Sequence, residues 1–140
     1  MNKNELTETQ RLQNELNRTR LLSTLTDHIG QMRAIGMAEL YETVYGEAWE
    51  NRINDTRKLR FLVTALRREG VAICSVSSST GGGYYLPAAG SELKGYLRNS
   101  KVRALRILAR VSRIQKISLP DLLGQMRLEM EEKGHDDEAA

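Results

Sequence analysis

The chain has 140 residues, 40% of them apolar and only 5% aromatic, which fits one domain with a core filled by Leu, Ile and Val. No run approaches the ~20 apolar residues of a membrane span, and the polar start MNKNELTETQ does not read as a signal peptide. One cysteine, Cys74, excludes an internal disulfide and fits a reducing, cytoplasmic setting. The formal charge of +3 conceals a segregation: residues 1–56 carry six Lys/Arg and nine Asp/Glu (−3), residues 57–116 thirteen against two (+11), and residues 117–140 two against seven (−5). A basic middle between acidic ends is the electrostatic footprint of a polyanion-binding protein.

Residues 1–19 form a polar extension or helix in which Leu6, Leu12 and Leu16 are the large apolar side chains. Such a helix would pack on the body or on a second copy. Leu21, Leu22, Leu25, Ile29 and Met32 then recur at helical spacing and predict a helix over 20–32, with His28 an ordinary boundary residue within it. Gly36 interrupts. Met37 to Tyr45 predicts a short helix with Leu40, Tyr41 and Val44 on one face, and Gly46 is its stop.

The connector EAWENRIND is expected to anchor Trp49 and Ile53 in the core, with Asn54 or Asp55 capping the next helix. That helix, 56–69, aligns Leu59, Leu62, Val63 and Leu66 in one stripe. Its other turns expose Arg57, Lys58, Arg60, Thr64, Arg67 and Arg68, the last two suited to a helix C-terminus. Gly70 ends it.

Val71 to Val76 alternates as a strand does, and Tyr84 to Leu86 reads as its partner. Between them Gly81, Gly82 and Gly83 are expected to supply positive φ angles for a turn. The segment SSSTGGGYY lacks the spacing and lysine of a phosphate loop and leads into a strand, not into a helix N-terminus. After Pro87, Ser91 caps a helix that runs to Lys116, with a break expected near Asn99–Ser100. Ala104, Ile107, Val111 and Ile114 share one side of it, while Arg103, Arg106, Arg110 and Arg113 fall within about 80° of each other on an adjacent side. Ser118 to Asp121 starts a last helix, with Pro120 in its first turn and Leu122, Leu123, Met126 and Met130 along it. The acidic end, 131–140, is expected to be disordered.

Catalytic chemistry has little to work with. His135 lies beside Asp136 and Asp137 in the tail, Cys74 alternates with Val76 as a small buried hydrophobe, and no Cys/His pair, Ser/His/Asp set or spaced ligand group occurs. A non-enzymatic protein with no cofactor, no metal and no small-molecule ligand is expected.

The order helix, short helix, connector, basic helix and hairpin carries the functional reading. The stretch LRREGVAICSVSSSTGGGYYLP, with Leu66, Arg67, Gly70, Ile73, Gly83, Tyr84 and Leu86, resembles the recognition-helix end and wing of bacterial winged helix-turn-helix domains such as that of the biotin operon repressor. Residues 20–116 also resemble small phage and prophage proteins with a GYYL wing and a long basic helix. The resemblance implies a mainly α fold with a small β-hairpin: a winged helix-turn-helix over 20–90, helices over 91–130, and the terminal extensions 1–19 and 131–140. It implies double-stranded DNA as partner, a homodimer, and a role in phage transcription regulation or replication. Arg57, Lys58, Arg60 and Thr64 would face the bases, where Arg can bind guanine in bidentate fashion, and Asn54 and Thr56 would donate to phosphate or bases. Ser78, Ser79 and Thr80 at the wing, with Arg103, Arg106, Arg110 and Arg113, would hold the backbone. The connector is longer than the usual tight turn, and the wing tip carries no Lys or Arg. A solvated face would account equally for the Arg stripe. The alternative is a non-catalytic adaptor that binds or inhibits a host factor through its basic face. A third reading, single-strand binding, would need Tyr84 and Tyr85 exposed for stacking.

Overall fold

The computed structural model describes residues 7–78 and 81–138, with side chains at all of these except 78, 81 and 135–138. Its elements are α1 (Glu8–Leu25), β1 (Ile35–Gly36), α2 (Met37–Tyr45), α3 (Arg52–Arg68), β2 (Cys74–Ser78), β3 (Gly81–Tyr85), α4 (Ser91–Gln115) and α5 (Leu119–Glu138). The protein is mainly helical, with one antiparallel sheet of order β1-β3-β2. It forms two compact units, Met1–Tyr96 and Leu97–Ala140, and the boundary falls within α4.

A capping box starts α1. Thr7 Oγ1 accepts from the Gln10 N–H at 3.3 Å, and Gln10 Oε1 accepts from the Thr7 N–H at 3.0 Å. From Glu8 onward the polar extension and the start of the first predicted helix are therefore one helix, on which Leu12 and Leu16 stay exposed and Leu21 and Leu25 are buried, while Leu6 lies outside the described residues. It ends at Leu25, seven residues before the apolar period predicts. Gly30, at φ 96°, turns the chain, and the edge of the hairpin captures the backbone on either side of it. The Leu86 N–H donates to His28 O at 3.0 Å and the Gly30 N–H to Leu86 O at 2.8 Å. His28 thus lies in a loop, where its Nδ1–H donates to Arg33 O at 2.7 Å. Ile29 and Met32 face solvent, Met32 at 97% exposure. β1, which the apolar periodicity does not anticipate, then pairs Ile35 with Tyr84 and Gly36 with Gly83.

Gly46 closes α2 in the left-handed region at φ 69°, as expected. α3 begins four residues earlier than predicted, because Asn51 is its cap: Asn51 Oδ1 accepts from the Ile53 and Asn54 N–H groups, both at 3.2 Å. Asp55 Oδ2 returns the bond to the N–H groups of Glu50 (3.1 Å) and Asn51 (3.0 Å). Asn54 and Asp55 are accordingly inside the helix, and the connector shrinks to the stretch from Gly46 to Asn51. Gly70, at φ 96°, ends α3, with the Val71 N–H reaching back to Leu66 O at 3.1 Å.

Leu21, Leu25, Ile35, Leu40, Tyr41, Val44, Leu59, Val63, Leu66, Ile73 and Tyr84 form the core of the first unit. Burying such a set at about 1.5–3 kcal/mol per large apolar side chain is what holds α1, α2, α3 and the sheet together. Trp49 packs against it from the connector, its indole N–H without a hydrogen-bond partner. Ile53, expected beside it, is 72% exposed, since the earlier helix start rotates it away from the stripe.

The hairpin register pairs Ser78 with Gly81, Ser77 with Gly82 and Val76 with Gly83. Gly82 and Gly83 are therefore paired strand residues with ordinary φ, not turn residues. Gly83 answers to space instead: a Cβ there would stand 2.6 Å from Ile35 O. Ser79 and Thr80, between the strands, lie outside the described residues.

Glu92 fastens the first turn of α4, its Oε1 accepting from the Gln31 N–H at 2.9 Å. α4 runs without the break expected near Asn99–Ser100, as no residue there is a helix breaker. In the second unit α4 ends with Lys116 in the left-handed region at φ 57° and the Ile117 N–H donating to Ser112 O at 3.1 Å. Ser118 Oγ then caps α5 by accepting from the Asp121 N–H at 3.2 Å. α5 continues to Glu138, so 131–138 is helical where composition predicts disorder. Its i,i+4 pair Arg127–Glu131 is one local support.

Candidate nucleic-acid interface

α3 has two contrasting sides. Leu59, Val63 and Leu66 are buried, and the opposite side presents Arg57, Arg60, Phe61, Thr64 and Arg68 to solvent. The N-terminal half of α3 forms one wall of an open groove, through Arg52, Ile53, Thr56, Arg57 and Arg60. Gly36 of β1 and the start of α2, Met37 to Glu39, together with Trp49, Glu50 and Gly82 of β3, form the rest. Three arginines and two glutamates, Glu39 and Glu50, therefore line the groove together with the apolar Met37, Ala38, Trp49 and Ile53.

The predicted site residues separate on this surface. Arg57, Arg60 and Thr56 come together at the groove. Thr64 lies one turn further along the exposed side. Asn54 is exposed in the first turn. Lys58 departs from the group: its Nζ sits 4.3 Å from the centre of the Tyr45 ring and 6.0 Å from that of Tyr41. It is a cation held on the α2 tyrosines, and its backbone carbonyl accepts from Tyr45 Oη at 3.4 Å. Arg67 is likewise structural. Its Nε donates to Ile73 O at 2.8 Å, and its guanidinium lies 5.9 Å from the centre of Tyr84. Ser78 pairs through its backbone with Gly81, but its side chain, like Ser79 and Thr80, is outside the described residues. Arg103, Arg106, Arg110 and Arg113 are all exposed on α4 within the second unit.

Tyr84 and Tyr85 are 6% and 9% exposed, so neither is available for stacking. The aromatic that is available is Phe61, 77% exposed. Sequence reasoning passed over it, although at 100° per residue it falls opposite the Leu59–Val63–Leu66 stripe, which is the signal that identifies it.

Titration of the buried groups belongs to packing. Burial raises the Tyr41 hydroxyl, with its hydrogen bond to Asp55 adding to the effect, and pushes Tyr45 up to about 12. Burial also raises the Cys74 thiol and the Tyr85 hydroxyl, which hydrogen-bond each other across β2 and β3. A thiol held protonated in a strand is a poor nucleophile. Among the described residues no group of three His, Cys, Asp or Glu gathers as metal ligands, and no helix is long and apolar enough to cross a membrane. Comparisons with protein families, with curated proteins and with solved structures find no match to this chain.

Proposed function

We propose that this protein is a winged helix-turn-helix that binds double-stranded DNA, as a transcription regulator or replication accessory of phage or prophage type. One observation carries the reading: Arg57 and Arg60 stand together on the exposed side of the third helix, in a groove that Gly82 of the hairpin also lines. A helix that offers paired guanidinium groups beside a β-ribbon suits a major groove, with the ribbon along the adjacent backbone. The sheet order β1-β3-β2, with β1 inserted between the first two helices, supports the same assignment. So does the Asn51 cap, which shortens the connector towards a tight helix-turn-helix turn.

A salt-titrated binding assay on duplex DNA tests it. Sub-micromolar binding that weakens steeply with salt and is lost in Arg57→Ala/Arg60→Ala supports the reading. No duplex binding at low salt sinks it. A second reading, the adaptor that binds a host protein, gains from Ile53 and Phe61, 72% and 77% exposed beside the arginines. Large apolar side chains so exposed are common at protein interfaces, though Phe can also meet a thymine methyl.

A further inference from the structure

Beyond Tyr96 the protein leaves many of its large apolar side chains exposed, while Val111 and Met126 are half-buried. Among the described residues from Leu97 onward only Ser112 and Leu122 are buried, whereas Ile107, Ile114, Leu123 and Met130 are 53%, 74%, 41% and 72% exposed. Helices in water draw most of their stability from a covered apolar face, and a unit this small cannot supply that cover itself.

The charges say what covers it. From Leu97 to Lys116 the chain carries seven Lys/Arg and no Asp/Glu, while from Leu119 to Glu138 it carries seven Asp/Glu and two Lys/Arg. On α4, Arg103, Arg106, Arg110 and Arg113 lie about 100° to one side of the Ala104–Ile107–Val111–Ile114 face. On α5, Glu129 and Glu132 lie about 100° to the same side of the Leu122–Leu123–Met126–Met130 face. When two helices pack antiparallel, flanks of the same hand meet, so the arginine row of an α4 falls against the glutamates of an α5. Within one chain they do not pair: the ion pairs among the described residues are Arg18–Glu69 and Arg127–Glu131. One chain therefore carries both a surface and its complement, the requirement for a two-fold symmetric interface.

We propose that α4 and α5 form a homodimerisation arm, in which α4 of one copy lies antiparallel on α5 of a second copy. Apolar residues meet at the centre and the arginine row pairs with Glu129 and Glu132. The four arginines are then interface residues before they are phosphate contacts. This inference does not rest on DNA binding, and its test needs no DNA.

Sedimentation equilibrium of the full chain at micromolar concentration is expected to give twice the chain mass. Ile107→Asp/Ile114→Asp is expected to weaken self-association at least a hundredfold, with thermal unfolding of the first unit unchanged. Arg106→Glu/Arg110→Glu and Glu129→Arg/Glu132→Arg are each expected to be monomeric and, when mixed, to form a one-to-one heterodimer, because the reversed charges then complement each other. That mixing result cannot come from simple misfolding. A full chain that is monomeric at 100 µM, about the weakest self-association worth assigning, would overturn the proposal. So would a dimer insensitive to these changes but dispersed by Leu12→Asp/Leu16→Asp on α1, or two charge-reversed chains that stay separate on mixing.

Discussion

Gly83→Ala tests how the sheet is closed. The new Cβ would stand 2.6 Å from Ile35 O and 3.1 Å from the Ile35 carbonyl carbon, both backbone atoms that no rotamer change can move. β1 is only Ile35 and Gly36, so it must retreat as a unit and stretch its ladder to β3. Each weakened backbone bond costs about 1 kcal/mol. Loosening Ile35, 3% exposed, forfeits part of the roughly 1.5–3 kcal/mol its burial contributes. Replacing Gly by Ala returns about 0.4–1 kcal/mol through the unfolded chain. The net expectation is a loss of about 2 kcal/mol, which for a unit this size lowers Tm by about 8–16 °C. Thermal and urea unfolding followed by circular dichroism measure it. Gly82→Ala, whose Cβ would meet Val76 O at 3.2 Å, should cost less, and Gly95→Ala, with nothing within 4 Å, should stabilise α4. A Gly83→Ala protein as stable as its parent, or more stable than Gly82→Ala, would refute the close-approach argument.

Lys116→Gly relieves a left-handed residue at the end of α4 and should stabilise the second unit by about 1 kcal/mol, read as a higher urea midpoint. Alkaline stability should report Tyr45. Its hydroxyl is pushed up to about 12 in the folded protein, so stability it contributes is complete below the ordinary tyrosine range and is lost as pH rises towards 12. Urea midpoints should fall between pH 10 and 12, and fall less in Tyr45→Phe. Phe61→Ala should leave unfolding within about 0.5 kcal/mol, since the side chain is exposed, while lowering affinity for whichever partner α3 engages. Unchanged affinity for both duplex DNA and any protein partner would remove Phe61 from the interface.

The candidate site was half legible beforehand. Arg57 and Arg60 follow from the periodicity of α3, since removing the Leu59–Val63–Leu66 stripe leaves them outward. Lys58 looked equivalent in sequence and is not, because the tyrosines that hold it come from α2. Ile53 was misplaced by a single local decision, that Asn51 and not Asn54 caps the helix. Phe61 is legible only from its angular position opposite the Leu59–Val63–Leu66 stripe.

Local chemistry alone determined much of the rest. The apolar period of α3, the Gly46 and Gly70 stops, the Ser118 start of α5 and the strand pair flanking the glycines all depend on neighbours within a turn or two. The charge blocks, which carry both the DNA reading and the dimer arm, are likewise written in the residue order. Tertiary structure decided what depends on distant partners. Whether 26–32 continues a helix or forms a loop is settled by Leu86, nearly sixty residues from His28 and Gly30, whose backbone bonds outcompete a helical period. Whether Gly83 serves a turn or a close approach is settled by Ile35, for the same reason: periodicity records which residues prefer burial, and only the assembled sheet says which backbone arrives to bury them.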